Sequence, residues 1–314
     1  MGVDLFFILS GFLITGILNT NKTLPWKSYI GRFYQRRARR ILPPYIMLLI
    51  LGTIFFGTEW MRHGYMYVVL MNFFQPLGIY QPAAFEPLWS LAVEEQFYLV
   101  WPLVVFFVDE LTLARISAGL IVLAPILRWQ CTPLFKLSWA IYMLTPFRMD
   151  CLAMGALLAY VWKHNRDLLE RYGRWGLLVT VGAFGALGVM LRQPGFSLYA
   201  NTAKANVWVY ECSLFACTGV MVWALGGKSV GFLQWKPVMY IGQISYTIYL
   251  VHEGVLTVLA DHMKGPGKIG LTALATTLAY ASISWFVLEK PLLKGGHRTP
   301  TAGRDGREAF GEAA

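Results

Sequence analysis

Pro87-Leu88-Trp89-Ser90-Leu91-Ala92-Val93-Glu94-Glu95-Gln96-Phe97-Tyr98-Leu99-Val100-Trp101-Pro102 sets two adjacent carboxylates inside an apolar run long enough to cross a bilayer. An ionisable group at membrane depth costs about 3 kcal/mol or more unless it meets a partner, a cavity or a proton, which makes Glu94 and Glu95 functional candidates by default. The bland reading is a pair of interfacial carboxylates that bind only water. Asp4, Arg148, Asp150 and His252 interrupt other apolar runs in the same way and weigh against it.

The rest of the chain repeats the pattern. Of 314 residues, 56% are hydrophobic and 14% charged, an apolar excess over ordinary soluble domains that is concentrated in blocks. Blocks at 3–18, 43–56, 88–108, 113–129, 147–162, 175–191, 207–225, 238–260 and 269–288 approach or reach the ~20 residues needed to span a ~30 Å hydrocarbon core. Backbone groups in lipid must be satisfied internally, so these blocks should be helices. Residues 65–80 are apolar but broken by Asn72, Gln75, Pro76 and Gly78. Charge sidedness decides how to treat them: seven Lys/Arg lie in 22–40, four in 163–174 and five from Lys290 onward. All three segments share the cytoplasmic side only if 65–80 enters and returns or lies in the interface. The expectation is an all-α integral membrane protein of about nine transmembrane helices plus one re-entrant or interfacial helix. Its amino terminus would face outward and its carboxyl terminus the cytoplasm, in a bacterial inner membrane. Residues 1–294 form the membrane domain, and 295–314, poor in large apolar residues, form a disordered cytoplasmic tail.

The net charge of +10 is split over several loops, so it points to orientation and lipid head groups and to no nucleic acid. Cys131, Cys151, Cys212 and Cys217 have neither CxxC spacing nor a His-rich neighbourhood; they are expected as small apolar residues, with no metal site. Arg36, Arg37, Arg39 and Arg40 gather just before the 43–56 block, and their forked donors suit a polyphosphate. A topology signal would look the same. Asp4, Glu94, Glu95, Arg148 and Asp150 are all expected at outward span ends, at one depth. His252, on a stripe with Tyr246 and Tyr249, could move protons with a carboxylate, or be a satisfied core residue. Ser10-Gly11 and Gly242 through Tyr246 suit close helix packing. Trp26, Trp60, Trp89, Trp101, Trp129, Trp162 and Trp235 fall near span ends and are expected as interfacial anchors.

Taken in order, Gly2-Val3-Asp4-Leu5-Phe6-Phe7-Ile8-Leu9-Ser10-Gly11, the Arg36–Arg40 cluster with Pro43, Trp89 through Tyr98, Arg148-Met149-Asp150, and Ile244 through His252 resemble the acyltransferase 3 family over nearly the whole chain. The resemblance implies a membrane O-acyltransferase that takes an acyl group, in this family often acetyl from acetyl-CoA, and places it on a hydroxyl of a cell-surface or exported carbohydrate. It implies catalysis by Glu94, Glu95 and His252. Asp4, Trp89, Ser90, Tyr98, Arg148, Asp150 and Tyr249 would line the acceptor cavity. Arg36, Arg37, Arg39 and Arg40 would hold acyl-CoA, a cosubstrate and not a resident cofactor, on the opposite, cytoplasmic face. Family members begin with a further helix that carries an Arg and, some ten residues on, a His regarded as catalytic; nothing before Met1 supplies it, so a longer natural chain is expected, or else an inactive truncated paralogue. A proton-coupled transporter using the same charges is the alternative from another class, although no symmetric pair of broken helices supports it.

Overall fold

The computed structural model describes residues 1–198, 200–226 and 230–294. The expected tail, 295–314, lies outside the described residues. Among the described residues, twelve α-helices follow one another: α1 (Gly2–Asn21), α2 (Trp26–Phe56), α3 (Leu88–Phe107), α4 (Glu110–Cys131), α5 (Trp139–Met143), α6 (Met149–His164), α7 (Arg166–Tyr172), α8 (Gly176–Leu191), α9 (Ala203–Gly226), α10 (Lys236–His262), α11 (Pro266–Ser284) and α12 (Lys290–Lys294). No strand occurs among the described residues. The chain is an all-α integral membrane protein, as its apolar blocks require.

Among the described residues, seven helical segments are long and apolar enough to cross a bilayer: Gly2–Asn21, Trp26–Phe56, Ala83–Phe107, Glu110–Leu134, Arg166–Leu191, Ala203–Gly226 and Pro266–Leu293. Two of the nine expected spans do not qualify on those grounds. The helix α6 has 16 residues, and α10, although 27 residues long, is diluted by Gln243, Thr247, His252 and Glu253. Residues 65–80 form no continuous helix; short 3₁₀ turns at Glu59–Tyr67 and Met71–Phe73 replace the single re-entrant helix that was expected.

Two apolar cores organise the bundle. The larger gathers Phe7, Phe12, Val93, Trp101, Leu152 and Leu214 from α1, α3, α6 and α9. The smaller joins Leu48 of α2, Tyr67, Phe74, Phe85, Leu91 and Leu250. Val93 belongs to the first and Ala92 to the second, so the seam between the cores crosses α3 at the residues that precede Glu94.

Glycine allows α1 and α6 to pack closely. A Cβ on Gly11 would sit 2.0 Å from the Leu152 carbonyl oxygen, and one on Gly155 would sit 2.0 Å from that of Ile8. The backbones of α1 and α6 therefore touch, which brings Asp4 to the level of Arg148. The packing expected of Gly11 is present, but Gly242 is exposed and meets nothing within 4 Å. Trp60, Trp89 and Trp101 are core residues and not interfacial anchors, because each finds apolar neighbours inside the bundle; Trp101 Nε1 also donates to Thr15 Oγ1 at 2.8 Å. Trp26, Trp129 and Trp235 do lie exposed. All four cysteines are free, three of them buried.

Candidate functional site

Glu94 and Glu95 stand about a third of the way along α3, and each leaves Oε1 buried without a hydrogen-bond partner among the described residues. Ser10 Oγ of α1 and the Tyr98 hydroxyl share a hydrogen bond of 2.6 Å, and both hydroxyls stand beside the Glu94 carboxylate. Ser10 is thus more than a packing residue. Behind Glu95, Gln96 Nε2 donates to the Val69 carbonyl at 2.6 Å and to Asn72 Oδ1 at 3.0 Å, which pins the 65–80 segment against α3.

The arginines stand elsewhere than expected. The helix α2 runs unbroken through Pro43 and Pro44 for 31 residues, about 46 Å at ~1.5 Å per residue, and lies alongside α3. Its arginine turn meets the middle of α3 and not a distant mouth. The Arg37 guanidinium lies over the Tyr98 ring at 5.6 Å, and Arg37 and Glu95 line one cavity of about 300 Å³. Arg40 faces Arg37, Tyr98, Tyr246 and Glu289 without a hydrogen bond or ion pair within 4.0 Å among the described residues. Arg36 is exposed and Arg39 half-buried. The expectation of donor-binding groups on one face and carboxylates on the other is therefore corrected: Arg37 and Glu95 share a chamber, because the prolines do not end the helix.

Glu289 is a residue that the sequence reading passed over. A π turn at Trp285–Glu289 inserts an extra residue and rotates the carboxylate inward, where it accepts from Thr247 Oγ1 at 2.7 Å and Ser284 Oγ at 3.0 Å. Such turns recur at functional sites.

A second charged cluster is closed by ion pairs, although Arg128 Nε and Arg148 Nε are buried without a hydrogen bond among the described residues. Arg148 pairs with Asp4 Oδ1, and Asp4 Oδ2 accepts from Ser213 Oγ at 2.7 Å. Arg128 Nη2 meets Asp150 Oδ2 at 2.7 Å and also Glu211, while Nη1 donates to the Phe147 carbonyl at 2.6 Å. The Tyr210 ring lies under both guanidinium groups, 4.8 Å from Arg148 and 5.4 Å from Arg128. The expectation of one depth for Asp4, Arg148 and Asp150 matches the geometry, but Glu94 and Glu95 belong to the other cluster. Arg128 and Glu211 went unflagged because Arg128 ends an apolar run; Glu211, alone inside another, carried the signal.

Between the clusters, the Ser90 and Tyr249 hydroxyls lie 2.7 Å apart, and Trp89 packs on Tyr142 with ring centroids 4.6 Å apart. His252 departs from its expected partnership. Its Nδ1 donates to the Tyr249 carbonyl at 2.7 Å and its Nε2 lies 3.9 Å from Glu253, so none of its described contacts reaches Glu94 or Glu95. The i to i−3 bond within α10 holds the ring at the half-exposed edge. Among the described residues no three His, Cys, Asp or Glu side chains gather to hold a metal.

Geometry and composition together define an integral membrane protein with an intramembrane chamber lined by Glu95 and Arg37, next to which the Glu94 carboxylate and the Ser10–Tyr98 hydroxyl pair lie buried. Residues 1–288 match the Acyltransferase domain family, and the chain belongs to it. It is 26% identical over 335 residues to the O-acetyltransferase OatA of Staphylococcus aureus, a match that covers 95% of this chain and 53% of the relative. It is 29% identical over 330 residues to the peptidoglycan O-acetyltransferase OatA of Listeria monocytogenes, covering 94% and 51%. The chain thus spans about half the length of the curated relatives it matches. No solved structure matches it.

Proposed function

We propose that this chain is a membrane O-acetyltransferase that transfers an acetyl group from acyl-CoA to a hydroxyl of a cell-wall carbohydrate, with peptidoglycan as the acceptor its relatives' names suggest. The observation that carries the reading is the chamber in which the free carboxylate oxygen of Glu95 faces Arg37 in a family of acyltransferases. Glu95 accepts the proton of the acceptor hydroxyl as its oxygen attacks the thioester carbonyl. The carbon–sulfur bond breaks, the acetyl ester forms, and the proton passes to the departing thiolate. The Ser10–Tyr98 hydroxyl pair, next to Glu94, donates to the developing oxyanion. Arg37 and Arg40 hold the anionic part of the donor, and the donor enters from the cytoplasm. His252 supports the α10 turn that carries Tyr249 and takes no proton in the reaction.

The test is acetyl transfer from labelled acetyl-CoA to peptidoglycan fragments by the chain in vesicles, together with any residues encoded in frame before Met1. Glu95→Gln should lower kcat by ~10²- to 10⁴-fold with helicity retained. Arg37→Ala should chiefly raise the KM for the donor. Unchanged transfer in Glu95→Gln would end the general-base assignment.

A further inference from the structure

The chamber opens on a surface that water does not occupy. Its rim is formed by Leu42 of α2, Leu99 of α3 and Val68 of the crossing segment, exposed by 48%, 48% and 72%. Each helix continues that surface as an apolar stripe at four-residue spacing: Ile46, Ile50 and Ile54 follow Leu42, and Leu103 and Phe107 follow Leu99, all exposed. In a bundle that spans a bilayer, such stripes face lipid tails. The mouth between them is therefore a lateral one.

The inner wall separates sharply into used and free polar groups. Tyr34 and Tyr45 line the chamber, but their hydroxyls already donate to the backbone carbonyls of Tyr98 and Tyr67. Left free are the Glu95 Oε1 and the Tyr67 hydroxyl, both buried without a partner among the described residues, and the Arg37 guanidinium beside them. A ligand drawn in through this mouth thus passes hydrocarbon first and meets three unsatisfied polar groups at the end. A buried polar group left unpaired is costly, so the free groups favour a polar head with several donors and acceptors.

We infer that the acceptor enters this chamber sideways from the bilayer, as a glycan head carried on a hydrocarbon chain. The identity of the head rests on the transferase reading above; the lateral route does not. A tail that passes from lipid to an apolar rim gains nothing from the hydrophobic effect, since lipid is equally apolar. The rim therefore guides the tail while Glu95 and the Tyr67 hydroxyl hold the head, and Arg37 beside them stays with the anionic part of the donor. A free sugar from water has no polar rim by which to enter, and the donor's phosphates are excluded from this mouth for the same reason.

The route is tested with the full chain in phosphatidylcholine vesicles that contain a long-chain alkyl N-acetylglucosaminide bearing a diazirine on the alkyl chain, with a phosphatidylcholine bearing the same diazirine as the comparison probe. After irradiation, the glycoside should label residues 38–45, 67–71 and 91–99 in preference to the lipid-facing surface of α8, and unlabelled alkyl glycoside should compete while free N-acetylglucosamine does not. Ala38→Trp, which fills the chamber, should reduce that labelling by about tenfold. Leu42→Trp narrows the rim from the lipid side without entering the core, and should also reduce it. Equal labelling of the chamber by both probes, or labelling unchanged in both variants, would overturn the inference. No donor is needed, so chamber labelling without acetyl transfer counts against the reaction alone. Equal transfer to free and alkyl-linked sugar without chamber labelling counts against the lateral route alone.

Discussion

Gly155→Ala adds one methyl group where the structure has no room for it. Its Cβ would lie 2.0 Å from the Ile8 carbonyl oxygen and 2.6 Å from the Phe12 amide nitrogen, whereas ordinary contact begins at 3.4 Å. Both neighbours are backbone, so no rotamer change relieves the clash; α1 and α6 must part by about 1.4 Å. On an exposed helix the same substitution stabilises by ~0.5–1 kcal/mol through lower chain entropy. Here the sign reverses, with a loss of ~1–3 kcal/mol expected from overpacking and from the contacts forfeited along the seam. A separation of that size also carries Ser10 beyond hydrogen-bonding range of Tyr98, from which it now stands 2.6 Å, unless α3 follows. Gly119→Ala on α4, with nothing within 4 Å of its Cβ, is the matched comparison. Unfolding midpoints in detergent should fall for Gly155→Ala and stay level or rise for Gly119→Ala, and transfer should drop only in the former. Equal midpoints for the two variants would refute the claim that backbone contact between α1 and α6 positions the site.

Arg128→Met strands Asp150 and Glu211 in the closed cluster and should destabilise the chain by ~3–5 kcal/mol, measured as a fall in the denaturant midpoint. Asp109, outside the spanning segments, caps α4 by accepting from the Thr112 amide at 2.9 Å and its hydroxyl at 2.6 Å, and these bonds hold its carboxyl below the ordinary range. A depressed folded value means that its contribution is complete above the ordinary carboxyl range and is lost as pH falls through the folded value; Asp109→Asn should abolish the acid-induced rise in hydrogen exchange at the Thr112 amide.

The helical, membrane-spanning character was legible because lipid leaves the backbone no other way to satisfy itself, and the long apolar blocks announce that constraint directly. Helix ends were less legible. Pro43 and Pro44 suggested a boundary, yet α2 continues through them, and the arginine turn shifted from a distant mouth to the flank of α3. Periodicity could place Arg37 and Arg40 on one face, but not decide which helix that face meets. The placing of His252 was illegible for a related reason: Tyr246 shares its stripe and reaches the interior, while the His252 ring bonds the Tyr249 carbonyl at the half-exposed edge. The 3₁₀ turns of 59–85 are held by Gln96 and Asn72, contacts between distant positions that no local pattern encodes.

Charge inside a membrane protein has two stable settings, and this chain contains both. Asp4, Arg128, Arg148, Asp150 and Glu211, with the Met1 ammonium 2.7 Å from Asp4 Oδ2, pair with one another across four helices, so most of the cost of burial is offset within the fold. Glu95 and Arg37 are left facing open space with Glu94 buried next to them, and each carboxylate keeps one oxygen unpaired among the described residues. Sequence treats the two sets alike, as charges interrupting apolar runs, because pairing is a property of helix packing. What separates them is Gly11 and Gly155: by bringing α1 onto α6 they close the first cluster, and by fixing α1 they set Ser10 against Tyr98 at the second. The closed cluster therefore supplies rigidity to the open one, and loss of transfer in Arg128→Met should follow loss of the fold, whereas loss in Glu95→Gln should not.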